Sequence, residues 1–147
     1  MKKEFIIKNG ILTKYNGNGG DVVIPNGIIR ISNYAFYECK NITSVVIPES
    51  TISIGRYAFH GCNSLTNIKI PNSLTVIGTN AFYGCSSLTS VEIPNSVTNI
   101  GSKAFYNCSL LTNITIPDSV TYMGKDVFAH CKNPSIKKYN KLGGKII

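Results

Sequence analysis

Acidic residues are scarce in this chain. Asp and Glu number 7 against 15 Lys and Arg, which leaves a net charge of +8. The seven acids are scattered along 147 residues, so no carboxylate pair is placed for general acid–base work. Histidine occurs twice, at His60 and His130, and no C-x-x-C spacing is present, so no clustered metal ligands and no metal site are expected. The nucleophile elbow, the phosphate-binding glycine loop and the dinucleotide fingerprint are all missing. No catalytic residue and no cofactor is therefore assigned, and the chain is read as a non-enzyme. No apolar run approaches the roughly 18 residues needed to span a bilayer. Glu4, Lys8 and Asn9 interrupt the N-terminal stretch MKKEFIIKNGILTKY, so it does not read as a secretory signal. Charged residues make up only 15%, yet 43% hydrophobic content excludes a disordered chain.

What fills the chain is a period. Cysteines stand at Cys39, Cys62, Cys85, Cys108 and Cys131, each 23 residues after the last. Prolines keep the same spacing at Pro25, Pro48, Pro71, Pro94 and Pro117. Phe36, Phe59, Phe82, Phe105 and Phe128 follow it too, four of them behind an alanine. A fixed period of this length implies a solenoid, in which each coil buries its apolar face only against its neighbours. Equivalent residues of adjacent coils then lie about 4.7–4.9 Å apart, a spacing that does not by itself forbid disulfides. The odd cysteine count and the apolar neighbours predict instead a column of buried thiols. Unpaired thiols suit a reducing compartment, so a cytoplasmic location is the expectation.

One coil, Leu88 to Leu111, serves as template. Leu88, Val91 and Ile93 are expected inside, with Thr89, Ser90 and Glu92 outside, the alternation of a half-buried strand. Pro94 ends the strand, because it offers no N–H to the ladder. Asn95 and Ser96 form a polar turn, and Val97 and Ile100 return to the core from the opposite wall. Gly101 either takes a positive φ or allows close backbone packing. Ala104, Phe105 and Cys108 have the spacing of a single helical turn.

The coil LTSVEIPNSVTNIGSKAFYNC resembles the repeat of the BspA-like leucine-rich repeat family. The similarity runs from Val22 to about Cys131, and the head FIIKNGILTKYNGNGGDVVIP is similar to the half-repeat that opens such arrays. The resemblance implies an α/β, right-handed leucine-rich-repeat solenoid used for binding. It would have a parallel β-sheet on one face, with short helical turns and short strands on the others. Residues 1–21 are expected to form a capping half-repeat, 22–133 five 23-residue repeats, and 134–147 a degenerate strand with a basic tail. Characterised members are often bacterial surface proteins, so the cell surface is the alternative location if the chain is part of a longer exported protein.

Function is sought on the surface. On the strand face Thr43, Thr66, Thr89 and Thr112 align, beside a column containing Lys69, Glu92 and Thr115. Lys69 and Glu92 are neighbours across coils and are expected to pair. A second column holds Tyr37, His60, Tyr83 and Tyr106, whose rings suit a protein interface. Val46, Ile29 and Ile52 add apolar surface to the first coils. These features predict a protein or peptide partner. The alternative is an anionic ligand, nucleic acid or anionic surface, held by Lys137, Lys138, Lys141 and Lys145. No nucleic-acid-binding motif accompanies those lysines, so nucleic acid is not the expected partner.

Overall fold

The structure, a computed structural model, describes residues 3–132. It opens on an antiparallel hairpin of β1 (Phe5–Lys8) and β2 (Ile11–Tyr15). Asn9 and Gly10 form its turn with φ of 52° and 77°, the left-handed pair that a two-residue hairpin favours. From there the chain winds in coils, and each coil contributes a strand to each of two walls.

The first wall holds the longer strands β3 (Gly20–Val23), β5 (Ile42–Val46), β7 (Asn67–Lys69), β9 (Ser90–Glu92) and β11 (Asn113–Thr115). Their central residues, such as Val45 and Val91, are buried while the flanking residues face solvent, as the alternation requires. The second wall holds two-residue strands: β4 (Arg30–Ile31), β6 (Ser53–Ile54), β8 (Val76–Ile77), β10 (Asn99–Ile100) and β12 (Tyr122–Met123). These continue from the hairpin into one seven-stranded sheet, parallel beyond β2, with Ile31, Ile54, Ile77 and Ile100 in register.

The third wall departs from the sequence reading. The Ala-Phe-x-x-Cys segments form no helix among the described residues; they are successive turns. Two residues per coil explain this. Tyr34, Tyr57, Asn80, Lys103 and Asp126 take positive φ before the Ala-Phe or Val-Phe pair, and Glu38, Gly61, Gly84, Asn107 and His130 take it after. A left-handed residue cannot continue a right-handed helix. The backbone bonds sideways instead. In the second coil the N–H groups of Tyr57, Phe59 and Gly61 donate to Thr79, Ala81 and Tyr83 of the third. The intervening amides of Ala58, His60 and Cys62 bond three residues back.

The core is a set of columns. The phenylalanine rings stack at centroid separations of 4.7, 5.2, 5.2 and 5.8 Å from Phe36 to Phe128, tilted by no more than 12°. Burial of each ring stabilises by about 1.5–3 kcal/mol. Tyr15 and Phe5 of the hairpin extend the spine at 5.0 and 5.6 Å. They continue the aromatic stack on the N-terminal side of Phe36. Gly55, Gly78, Gly101 and Gly124 settle the alternative left open at this position, since none has a positive φ. A Cβ on Gly78 would lie 2.7 Å from the Gly55 carbonyl carbon, so close packing of the coils is what demands glycine.

Candidate functional site

The thiol column is a structural feature. Cys62, Cys85 and Cys108 are fully buried, whereas Cys39 and Cys131 are only partly covered, and all five are free. Each thiol from Cys62 onward donates to the Phe carbonyl of the preceding coil at 3.1–3.2 Å. That carbonyl already accepts an amide three residues on, so the S–H satisfies its second lone pair. Burial pushes the thiols of Cys62, Cys85 and Cys108 well above their ordinary range, and Cys131 up to about 11. Such thiols stay protonated and make poor nucleophiles. Among the described residues, no three His, Cys, Asp or Glu side chains are grouped to hold a metal ion.

The aromatic column forms as a stack. Tyr37, His60, Tyr83 and Tyr106 lie 5.0, 4.7 and 4.8 Å apart with interplanar angles of 11–21°, and His130 meets Tyr106 edge-on. Tyr34 and Tyr57 form a second stacked pair at 4.9 Å. The rings cover each other's faces, so the column offers a partner mainly ring edges and phenol hydroxyls. His60 Nδ1 stands 3.4 Å from Glu38 Oε2, near enough for an ion pair if the imidazole is protonated, but the two are not aligned as a hydrogen bond. Lys103 Nζ lies 5.4 Å from the Tyr106 ring centroid, a cation–π contact on the exposed rim.

The strand face divides into two halves. At its N-terminal end the polar side chains are internally engaged: Thr43 and Ser44 donate to Asp21 Oδ1, and Thr66 donates to the Thr43 carbonyl. Val23 and Val46 stand exposed in register beside them. Between β7 and β9 the ladder is interrupted, and the wall splits into a three-stranded and a two-stranded sheet. Ile70 is correspondingly less buried than Ile47 and Ile93. The expected Lys69–Glu92 pair does not form, because the unbonded strands do not hold the two side chains together; the ion pairs of the described residues both involve Glu38. Beyond the split, Ser90, Glu92, Asn113 and Thr115 line an open depression of about 650 Å³. Asn72 and Asn95, from the turns after Pro71 and Pro94, complete its rim.

The 23-residue coil, its Pro-ended strand and its Phe and Cys columns match the BspA type leucine rich repeat region, in six copies over residues 12–135. The chain belongs to the BspA-type leucine-rich repeat family. Among solved structures, this BspA-type chain is similar to the leucine-rich repeat protein of T. pallidum. Identity is 34%, the TM-score is 0.83, and 86% of this chain and 62% of that one are covered. It is also similar to a leucine rich cell surface protein of Faecalibacterium prausnitzii. There identity is 36% and the TM-score 0.81, with 86% and 34% covered. A leucine-rich repeat protein of Bacteroides ovatus matches at 32% identity and TM-score 0.77, covering 92% of this chain and 37% of that one. The chain thus spans less than two thirds of each of these relatives. None of the curated proteins compared matches it.

Of the residues singled out in the sequence, Glu92 and Thr115 line the depression of this BspA-type repeat and Thr89 and Thr112 precede its strands. Thr43, Thr66 and Lys69 lie on the far side of the split. Lys137, Lys138, Lys141 and Lys145 fall outside the described residues. The asparagines of the rim were missed, although Asn72 and Asn95 recur with the repeat and so carried a signal. No helix of the described residues is long and apolar enough to cross a membrane.

Proposed function

We propose that this chain is a non-catalytic scaffold that binds a protein or peptide on the strand face of its fourth and fifth coils. One observation carries the reading. The depression there is lined by Ser90, Glu92, Asn113 and Thr115, and Glu92 forms no ion pair among the described residues. Polar side chains that the fold does not consume are available to a partner, whereas the Thr43–Ser44–Asp21 cluster is already satisfied within the chain. The stacked Tyr83 and Tyr106 edges form the secondary contact. Similarity to a protein described as cell surface favours the surface location over the cytoplasm for whatever longer protein carries such a module.

The test uses a partner captured on the immobilised chain. Interface energy concentrates in a few side chains. Replacing Thr89 and Glu92 together is expected to weaken binding by about tenfold or more, equivalent to about 1.4 kcal/mol. Replacing Tyr83 and Tyr106 together should weaken it less, with circular dichroism unchanged in both. Truncation after Asn133 should leave affinity at physiological salt unaltered. Loss of binding on truncation alone, with both face variants binding normally, would hand the function to the lysine-bearing tail.

A further inference from the structure

The hairpin that caps the N-terminal end leaves one strand edge open. Among the described residues β1 is the terminal strand of the seven-stranded sheet and pairs only with β2. The Asn16 amide donates to the Glu4 carbonyl, which fixes the phase of the ladder. In an antiparallel pair alternate residues turn their backbone groups to opposite sides. Glu4, Ile6 and Lys8 therefore bond toward β2, and the N–H and C=O groups of Phe5 and Ile7 point outward. Ile6 and Ile7 are 40% and 44% exposed, unusual for isoleucine on a cap whose task is to shield the core. β1 contains no proline to block pairing.

The charges flanking this edge are self-complementary. Two copies of β1 meeting antiparallel about a two-fold axis at Ile6 would pair Phe5 with the second copy's Ile7, and Ile7 with its Phe5. All four outward-pointing peptide groups would then be bonded. The same register sets Glu4 against Lys8 of the second copy, and Lys8 against its Glu4. Moving the register by two residues loses both Glu4–Lys8 contacts and both Phe5–Ile7 pairs: centring on Phe5 puts Ile7 opposite Lys3 and Glu4 opposite Ile6, and centring on Ile7 puts Phe5 opposite Asn9 and Lys8 opposite Ile6. Glu4 and Lys8 lie four residues apart on one strand, roughly 13 Å, too far to neutralise each other within a chain. Neither has an ion-pair partner among the described residues.

We infer that β1 is a homotypic interface, through which two copies of this chain join edge to edge and continue the seven-stranded sheet across a two-fold axis. On one face the two Ile6 side chains meet, and on the other each Ile7 packs against the partner copy's Phe5. The interface is small, so the association is reversible and concentration-dependent.

Sedimentation velocity on the full chain across a micromolar concentration series tests this. The wild type should shift from monomer to dimer as concentration rises. Glu4→Lys and Lys8→Glu, both exposed substitutions, each place like charges across the axis and should each weaken self-association by about tenfold. Mixing the two variants restores opposite charges at both contacts, so the mixture should dimerise about tenfold more tightly than either variant alone. A wild type that stays monomeric throughout overturns the proposal. So does a dimer indifferent to both substitutions, or a mixture that fails to pair.

Discussion

At the scale of the residue, glycine does two different jobs in this repeat. Gly78 has an ordinary φ but no room, whereas Gly84 has room but a φ of +74°, with its nearest neighbour 3.8 Å from a would-be Cβ. Gly84→Ala should therefore cost about 1–2 kcal/mol through the left-handed backbone alone. Gly78→Ala should cost about 1–3 kcal/mol through overpacking. Denaturant melts of the asparagine variants separate the two causes. Gly84→Asn should recover most of the loss, since Asn tolerates this φ and Asn107 occupies the equivalent position. Gly78→Asn should be worse than Gly78→Ala. Equal behaviour of the two asparagine variants would mean that one cause acts at both sites. The Gly78 position was legible from the period alone, though not which of its two roles applied. The left-handed Tyr34, Tyr57 and Lys103 were not legible, because nothing in those side chains announces a positive φ. That is why the Ala-Phe-x-x-Cys spacing read as a helical turn.

At the scale of the element, each coil owes its stability to what lies on either side. Phe82 stacks between Phe59 and Phe105, whereas among the described residues Phe128 is stacked by Phe105 alone. Phe82→Ala should cost about 3–5 kcal/mol through the cavity it leaves. Phe128→Ala should cost clearly less in the same urea titration, and equal losses would contradict neighbour-derived stability. The spine itself was plain in the sequence, because five phenylalanines share one beat. Its extension through Tyr15 and Phe5 was not, since the hairpin breaks the period and contributes by stacking rather than by repetition. The interrupted ladder between β7 and β9 was equally hidden. Lys69 and Glu92 promised a pair across it, and a sequence alignment of coils carries no information on whether adjacent strands bond.

At the scale of the whole molecule, a solenoid uses its interior for stability and keeps its walls for recognition. The strand columns could be aligned from the sequence, and Glu92 and Thr115 fell where the depression opens. Which half of the face is uncommitted could not be read there, because Thr43 and Thr89 are the same residue in the same column and differ only in what lies beside them. Asp21 engages the first; the split in the sheet borders the second. The basic excess of +8 supplies the competing account, since lysines attract anions over a distance set by ionic strength. The decisive measurement is the affinity for the captured partner as a function of salt, made on the full chain. Recognition through Thr, Asn, Ser and one carboxylate should change by less than about tenfold between 50 and 200 mM salt, whereas a fall of about a thousandfold or more is what binding through many phosphate contacts produces. A shallow slope is the expected result, and a steep one would contradict the strand-face scaffold directly.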